Sequence, residues 1–141
     1  GTLGLPQVIC PGGAEHLGLF VEPNVVPDEY AEHLHVFHSP VVFVPRLRRD
    51  EIVRVAEEIC RRLQSTTGDA AFFFPLRGVG RYSIQGGPLH DPEGDAAVGE
   101  ALRSSLPDSI EIVEIDAAAE ADEFVDAAVD RLVAMLEAKA G

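Results

Sequence analysis

The chain has 141 residues, enough for one α/β domain of ordinary size, with 46% hydrophobic residues and a formal net charge of −13. That charge argues against nucleic acid as a partner, because binding a phosphate backbone needs a basic surface. No apolar run approaches membrane-spanning length, so no membrane partner is expected.

In chain order, Pro6 to Cys10 reads as a short strand stopped by Pro11-Gly12-Gly13. A Gly-rich turn after a strand brings backbone amides close to an anion, which makes Gly12 and Gly13 candidate ligand-binding residues, a plain turn being the alternative. Glu15 and His16 follow at once and face the same crevice in this reading. The text VPDEYAEHL from Val26 predicts a short helix with Pro27 at its start and acids in the first turn. Two β-like runs come next, His35 to His38 and Val41 to Val44, either one bent strand or two strands. His33, His35 and His38 lack a Cys or carboxylate at zinc-like spacing, so no metal site is expected. His38, at the end of its strand, is the better candidate for chemistry. Arg46, just after a strand and Pro45, is expected to point into the crevice. Asp50 to Leu63 predicts an amphipathic helix with Ile52, Ala56, Ile59 and Leu63 on one face.

The stretch Ala70 to Asp91 organises the rest. Ala70 to Phe74 is a continuous apolar run bounded by Gly68-Asp69 and Pro75, the pattern of a strand buried on both faces of a parallel sheet. A long glycine-rich loop follows, and such loops at the carboxyl ends of strands are where open α/β sheets bind ligands. It carries Arg77, Gly78, Ser83, Gly86 and Gly87 as candidate ligand-binding residues. An arginine fork in a glycine-flanked loop suits phosphate or carboxylate; the competing role for Arg77 is a salt bridge to Asp91 or Asp95 that locks the loop. Asp91-Pro92 predicts a helix start, running to about Leu106. Ser109 to Ile115 alternates, with Ile110, Ile112 and Val113 inward and Glu111 and Glu114 outward, as in a strand near a sheet edge. A last helix, about Ala121 to Ala138, places Val125, Val129, Leu132 and Leu136 on one stripe. The alternation of strands and helices predicts an α/β fold, a Rossmann-like three-layer sandwich with a mostly parallel sheet.

The succession GLPQVICPGG (4–13), VPDEYAEHL (26–34), FHSP (37–40), PLRGVGRYS (75–83) and GGPLHDPEGDAA (86–97) resembles the C-terminal part of a family of uncharacterised bacterial proteins. That family also includes the inhibitory region of the plant resistance protein that binds tomato mosaic virus replication proteins. The resemblance implies two Rossmann-like domains and ATP binding, with magnesium as the accompanying ion. This chain looks like most of the second domain, lacking its opening β-α portion. The matching positions are Pro11, Gly12, His38, Arg46, the PLRG segment from Pro75, Ser83, Gly86-Gly87-Pro88, Asp91-Pro92-Glu93 and Asp95. The chain departs from the family pattern at Ser39, at Leu89 and at Glu15-His16.

Three functions are compatible with these residues. One is a module that binds a nucleotide or other small phosphorylated or carboxylated ligand. A second is a small-molecule hydrolase or transferase using His38 and Arg77, with Asp95 or Glu15 completing an acid–base pair. The third is a protein-interaction domain with a vestigial crevice. There is no G-x-S-x-G, no GxxxxGK[ST] and no G-x-G-x-x-G. Cys10 and Cys60, both in apolar surroundings, read as buried thiols of a cytoplasmic protein. A parallel sheet without its first strands has a bare edge, so a homo-oligomer or docking of the missing N-terminal part is expected.

Overall fold

A computed structural model describes residues 1–140. Its centre is a parallel sheet of three strands in the order β1 (Gln7–Ile9), β5 (Ala70–Pro75) and β6 (Ile110–Ile115). Every residue of β5 is buried. Period-two alternation sends Ala70, Phe72 and Phe74 to one core and Ala71 and Phe73 to the other. This is why the run shows no polar face.

Helices α1 (Arg49–Leu63) and α2 (Pro92–Ser105) cover the first face, burying Ile52, Ala56, Cys60, Val98, Ala101 and Leu102. The backbone N–H of Arg48 donates to Glu51 Oε2 at 2.7 Å and so fastens the start of α1. Asp91 caps α2, its Oδ1 accepting from Gly94 N at 3.0 Å, with Pro92 at the first helical position. Helix α3 (Asp122–Ala140) covers the second face with Phe124 and Met135. The three-layer α/β prediction holds.

Some expectations were left open and others need correction. Leu19–Phe20 (β2), His35–Ser39 (β3) and Val42–Pro45 (β4) form a separate antiparallel sheet in the order β2-β4-β3. The two histidine-flanked runs are therefore a hairpin, and no sequence signal marked the two-residue β2. The helix read in VPDEYAEHL is a single 3₁₀ turn, Asp28–Tyr30. Strand β6 lies at the sheet edge with Glu111 and Glu114 exposed, as expected, and the two acids lie on opposite sides: Glu111 accepts from Arg131 of α3 at 2.8 Å, and Glu114 pairs with Arg103 of α2. The stripe assigned to the last helix faces outward instead, with Val125, Val129 and Leu136 each about half exposed. Small Ala121, Ala127 and Ala128 flank Phe124 and Met135, and these let the helix lie close on the sheet. Cys60 is buried as expected, but Cys10 is exposed.

Candidate functional site

The carboxyl ends of β5 and β6 are bound together by their following loops: Leu76 N donates to Ile115 O (2.9 Å), Arg77 N to Ala117 O (3.1 Å) and Ala119 N to Gly78 O (3.0 Å). Gly78 has φ 118°, and a Cβ there would lie 3.0 Å from the Ile84 backbone, so only glycine fits. Beside this corner a cleft of about 380 Å³ opens between the end of β5, Gln85, His90 and one side of α2. That is the usual place for a ligand in an open α/β sheet, and the volume is in the range of small-molecule sites.

Two arginines stand at the cleft. Arg77 is exposed, and its Nε and NH2 each donate at 2.7 Å to the two oxygens of Asp116, a bidentate fork. The expected partner was Asp91 or Asp95; the real one is the first residue past β6, brought across by the parallel pairing. The Arg77 hydrogen bonds hold the Asp116 carboxyl below its ordinary range. Arg103, paired with Glu114, shares a side of α2 with Asp95 and Gly99. His90 Nδ1 lies 3.0 Å from Ser83 O.

Arg46 takes a different role from the one expected. It points inward, but it is 2% exposed and engaged through both terminal nitrogens: NH1 donates to Leu89 O (2.8 Å), and NH2 to Asp95 Oδ1 (2.6 Å) and Asp91 O (3.3 Å), while Nε lies 3.5 Å from Asp91 Oδ2 without a hydrogen bond. It clamps the end of β4 to the long loop and the first turn of α2, and it is not free for a ligand. Burial is the largest influence on Asp95 and pushes its carboxyl up, against the pull of Arg46; Glu15 and Asp91 add to the rise. Ser83 is likewise interior, fully buried and donating to Glu15 Oε1 at 2.5 Å.

The remaining candidates are dispersed. His38 Nδ1 lies 2.7 Å from Tyr82 Oη, while Asp95 is held by Arg46, so the proposed acid–base pair is not assembled. Gly86 (φ 83°) and Gly87 close a turn in which Gly87 N donates to Ile84 O at 2.8 Å. Gly12 and Gly13 line a second groove, away from Arg77. His33 bonds Glu51 and His35 bonds the His33 carbonyl, and among the described residues no three His, Cys, Asp or Glu side chains converge as a metal site. The sequence reading missed His90, Gln85, Arg103 and Asp116. The i, i+4, i+8 spacing of Asp95, Gly99 and Arg103 was a signal for Arg103.

Residues 1–136 match the family described as "Uncharacterised protein family (UPF0261) C-terminal domain". The chain belongs to that family. A UPF0261 protein of Clostridium tetani is 28% identical over 136 residues, covering 96% of this chain and 33% of the relative. One of Brucella melitensis is 28% identical over 137 residues (95% and 32%), and one of Mesorhizobium japonicum is 34% identical over 103 residues (73% and 26%). The chain spans about a third of the length of the UPF0261 relatives it matches first. No helix among the described residues is long and apolar enough to cross a membrane.

Proposed function

We propose that this UPF0261 domain binds a nucleotide or other phosphorylated small molecule in the cleft beside the end of β5, with Arg77 as the principal anion-binding group. One observation carries this reading: an exposed guanidinium at the cleft already holds an oxyanion, Asp116, in the fork geometry that phosphate also accepts. A surface pair of this kind is weak, so a ligand anion can replace it at little cost. Arg103 on α2 is the second cation and Gly78 lets the loop backbone approach closely. ATP with magnesium, which the family resemblance implies, is compatible with this donor set. Two guanidiniums suit the phosphates. Asp116, once released by Arg77, is the kind of lone carboxylate that holds magnesium together with substrate phosphates. Catalysis by His38 and Asp95 has no such support, because the two are engaged elsewhere.

The test is a thermal-shift series on the chain with ATP, ADP, GTP, inorganic phosphate and simple carboxylates, with and without magnesium, beside Arg77→Ala. A saturable rise in Tm for a phosphorylated compound is expected, worth about 2.7 kcal/mol at a hundredfold excess over Kd. It is lost in Arg77→Ala, whose Tm without ligand stays at the parental value. No rise with any compound, or an undiminished rise in the variant, would sink the proposal.

A further inference from the structure

We propose that, granted the anion-binding role of Arg77, the ligand of this cleft is a sugar phosphate whose hydroxyl groups are read by His90 and Asp95. The groups at the cleft that the phosphate does not use are hydrogen-bond acceptors. His90 Nδ1 lies 3.0 Å from the carbonyl oxygen of the buried Ser83. A carbonyl only accepts, so Nδ1 carries the hydrogen and donates it. In the neutral ring this fixes the tautomer and leaves Nε2 as a lone-pair acceptor, without a partner among the described residues. Asp95 supplies a second acceptor. Its Oδ1 takes the bond from Arg46 at 2.6 Å, and its Oδ2 accepts from no side chain or backbone group among the described residues. Gln85, exposed in the wall of the cleft, adds an amide that both donates and accepts.

The spacing along α2 sets these acceptors close to a cation. His90 comes just before the cap residue Asp91, and Asp95 lies in the first turn of the helix. Gly99 is one turn further on, about 6 Å along the axis. A Cβ at Gly99 would stand 3.3 Å from Arg103 NH1 and 3.1 Å from Phe74 Cε1, so the missing side chain gives the guanidinium its place there. A few bonds separate the phosphate of a short sugar from its hydroxyls, and a span of this size suits them. The groups also discriminate by what they can bond. The oxygens of a phosphate dianion only accept, so they belong to Arg77 and Arg103 and gain nothing from Asp95 or a neutral His90. Hydroxyls donate, and they match both acceptors. A nucleobase would need a flat ring face to stack on, and Phe74, the one phenyl ring lining the cleft, is 2% exposed and packed into the core.

The probes are D-ribose 5-phosphate and pentyl phosphate, which share a phosphate and a carbon count and differ in hydroxyls. Each is titrated into the ¹⁵N-labelled chain at pH 8 and followed by amide shifts. Both are expected to shift Gly78 and Gly99 saturably, with D-ribose 5-phosphate bound about tenfold more tightly, the effect of one or two added hydrogen bonds. AMP is expected to bind within about threefold of D-ribose 5-phosphate, the base adding little. His90→Asn keeps an amide that can donate to Ser83 O and removes the Nε2 acceptor, and at this exposed position it is expected to fold normally. It lowers the affinity for D-ribose 5-phosphate about fivefold and leaves that for pentyl phosphate unchanged, a split that a merely structural His90 would not produce. The inference is overturned if pentyl phosphate binds as tightly as D-ribose 5-phosphate, if AMP binds more than about tenfold tighter than D-ribose 5-phosphate, or if His90→Asn weakens both phosphates equally. Each of these results leaves the anion site standing, whereas no shift with any of the three compounds removes the anion site and this inference together.

Discussion

Arg46→Met is the most informative perturbation of the fold around the cleft. The substitution keeps the aliphatic stem and removes the guanidinium, which is 2% exposed and donates to Leu89 O, Asp91 O and Asp95 Oδ1. The loss leaves a largely buried carboxylate without its cation and the carbonyl of fully buried Leu89 without this donor. Breaking one side of a buried ion pair costs about 3–5 kcal/mol. For a chain of this size that corresponds to a drop in Tm of roughly 10–20 °C. Urea denaturation at fixed pH measures it, provided the slope is unchanged. The double variant Arg46→Met/Asp95→Leu is expected to recover about half of the loss or more, because an apolar pair of similar volume replaces an ion pair at little net cost. The pH dependence has a definite sign. Burial raises the Asp95 carboxyl above its ordinary value, and Arg46 opposes the rise. Without Arg46 the folded-state value climbs further, the native state binds more protons than the unfolded one, and this group's contribution falls as pH rises. The deficit of Arg46→Met relative to the parent is therefore larger at pH 8 than at pH 5. A cost below about 1 kcal/mol, or a double variant no better than the sum of its parts, would refute the clamp.

Two further substitutions test the placement of other residues. At Gly87 a Cβ would run into the backbone carbonyl of Tyr82, which cannot move aside as a side chain can, so Gly87→Ala is expected to destabilise by about 1–3 kcal/mol even though no ligand contact is lost; parental stability would show that the turn is looser than described. On α3, Met135→Ala is expected to cost about 2–5 kcal/mol and Leu136→Ala no more than about 0.5 kcal/mol, because Met135 is 3% exposed and Leu136 is 50% exposed. The reverse order would restore the stripe read from sequence.

The acidic balance, the apolar run of β5 and the capped start of α2 were all decided by local residue chemistry, and they were legible without a structure. A strand buried on both faces has no polar alternation to misread, and Asp91-Pro92 is a start signal whatever surrounds it. The PLRG loop was legible for the same reason, as a glycine-rich connection that follows such a strand. Partnership was not legible. Arg77 meets Asp116 only because β5 and β6 are parallel neighbours, so their carboxyl ends emerge side by side. Arg46 and Ser83 are as polar in the sequence as Arg77, yet the packing of β4 and of the long loop turns them inward and makes them structural. The orientation of α3 was equally out of reach. Its apolar residues span a broad arc, and only the fit of Phe124 and Met135 against Ala71 and Phe73 selects the side that is buried. Residue chemistry along the chain determined where most strands and helices and the glycine-rich loop would lie. Three-dimensional proximity, which no local pattern encodes, decided which charges would neutralise one another and which would face a cleft.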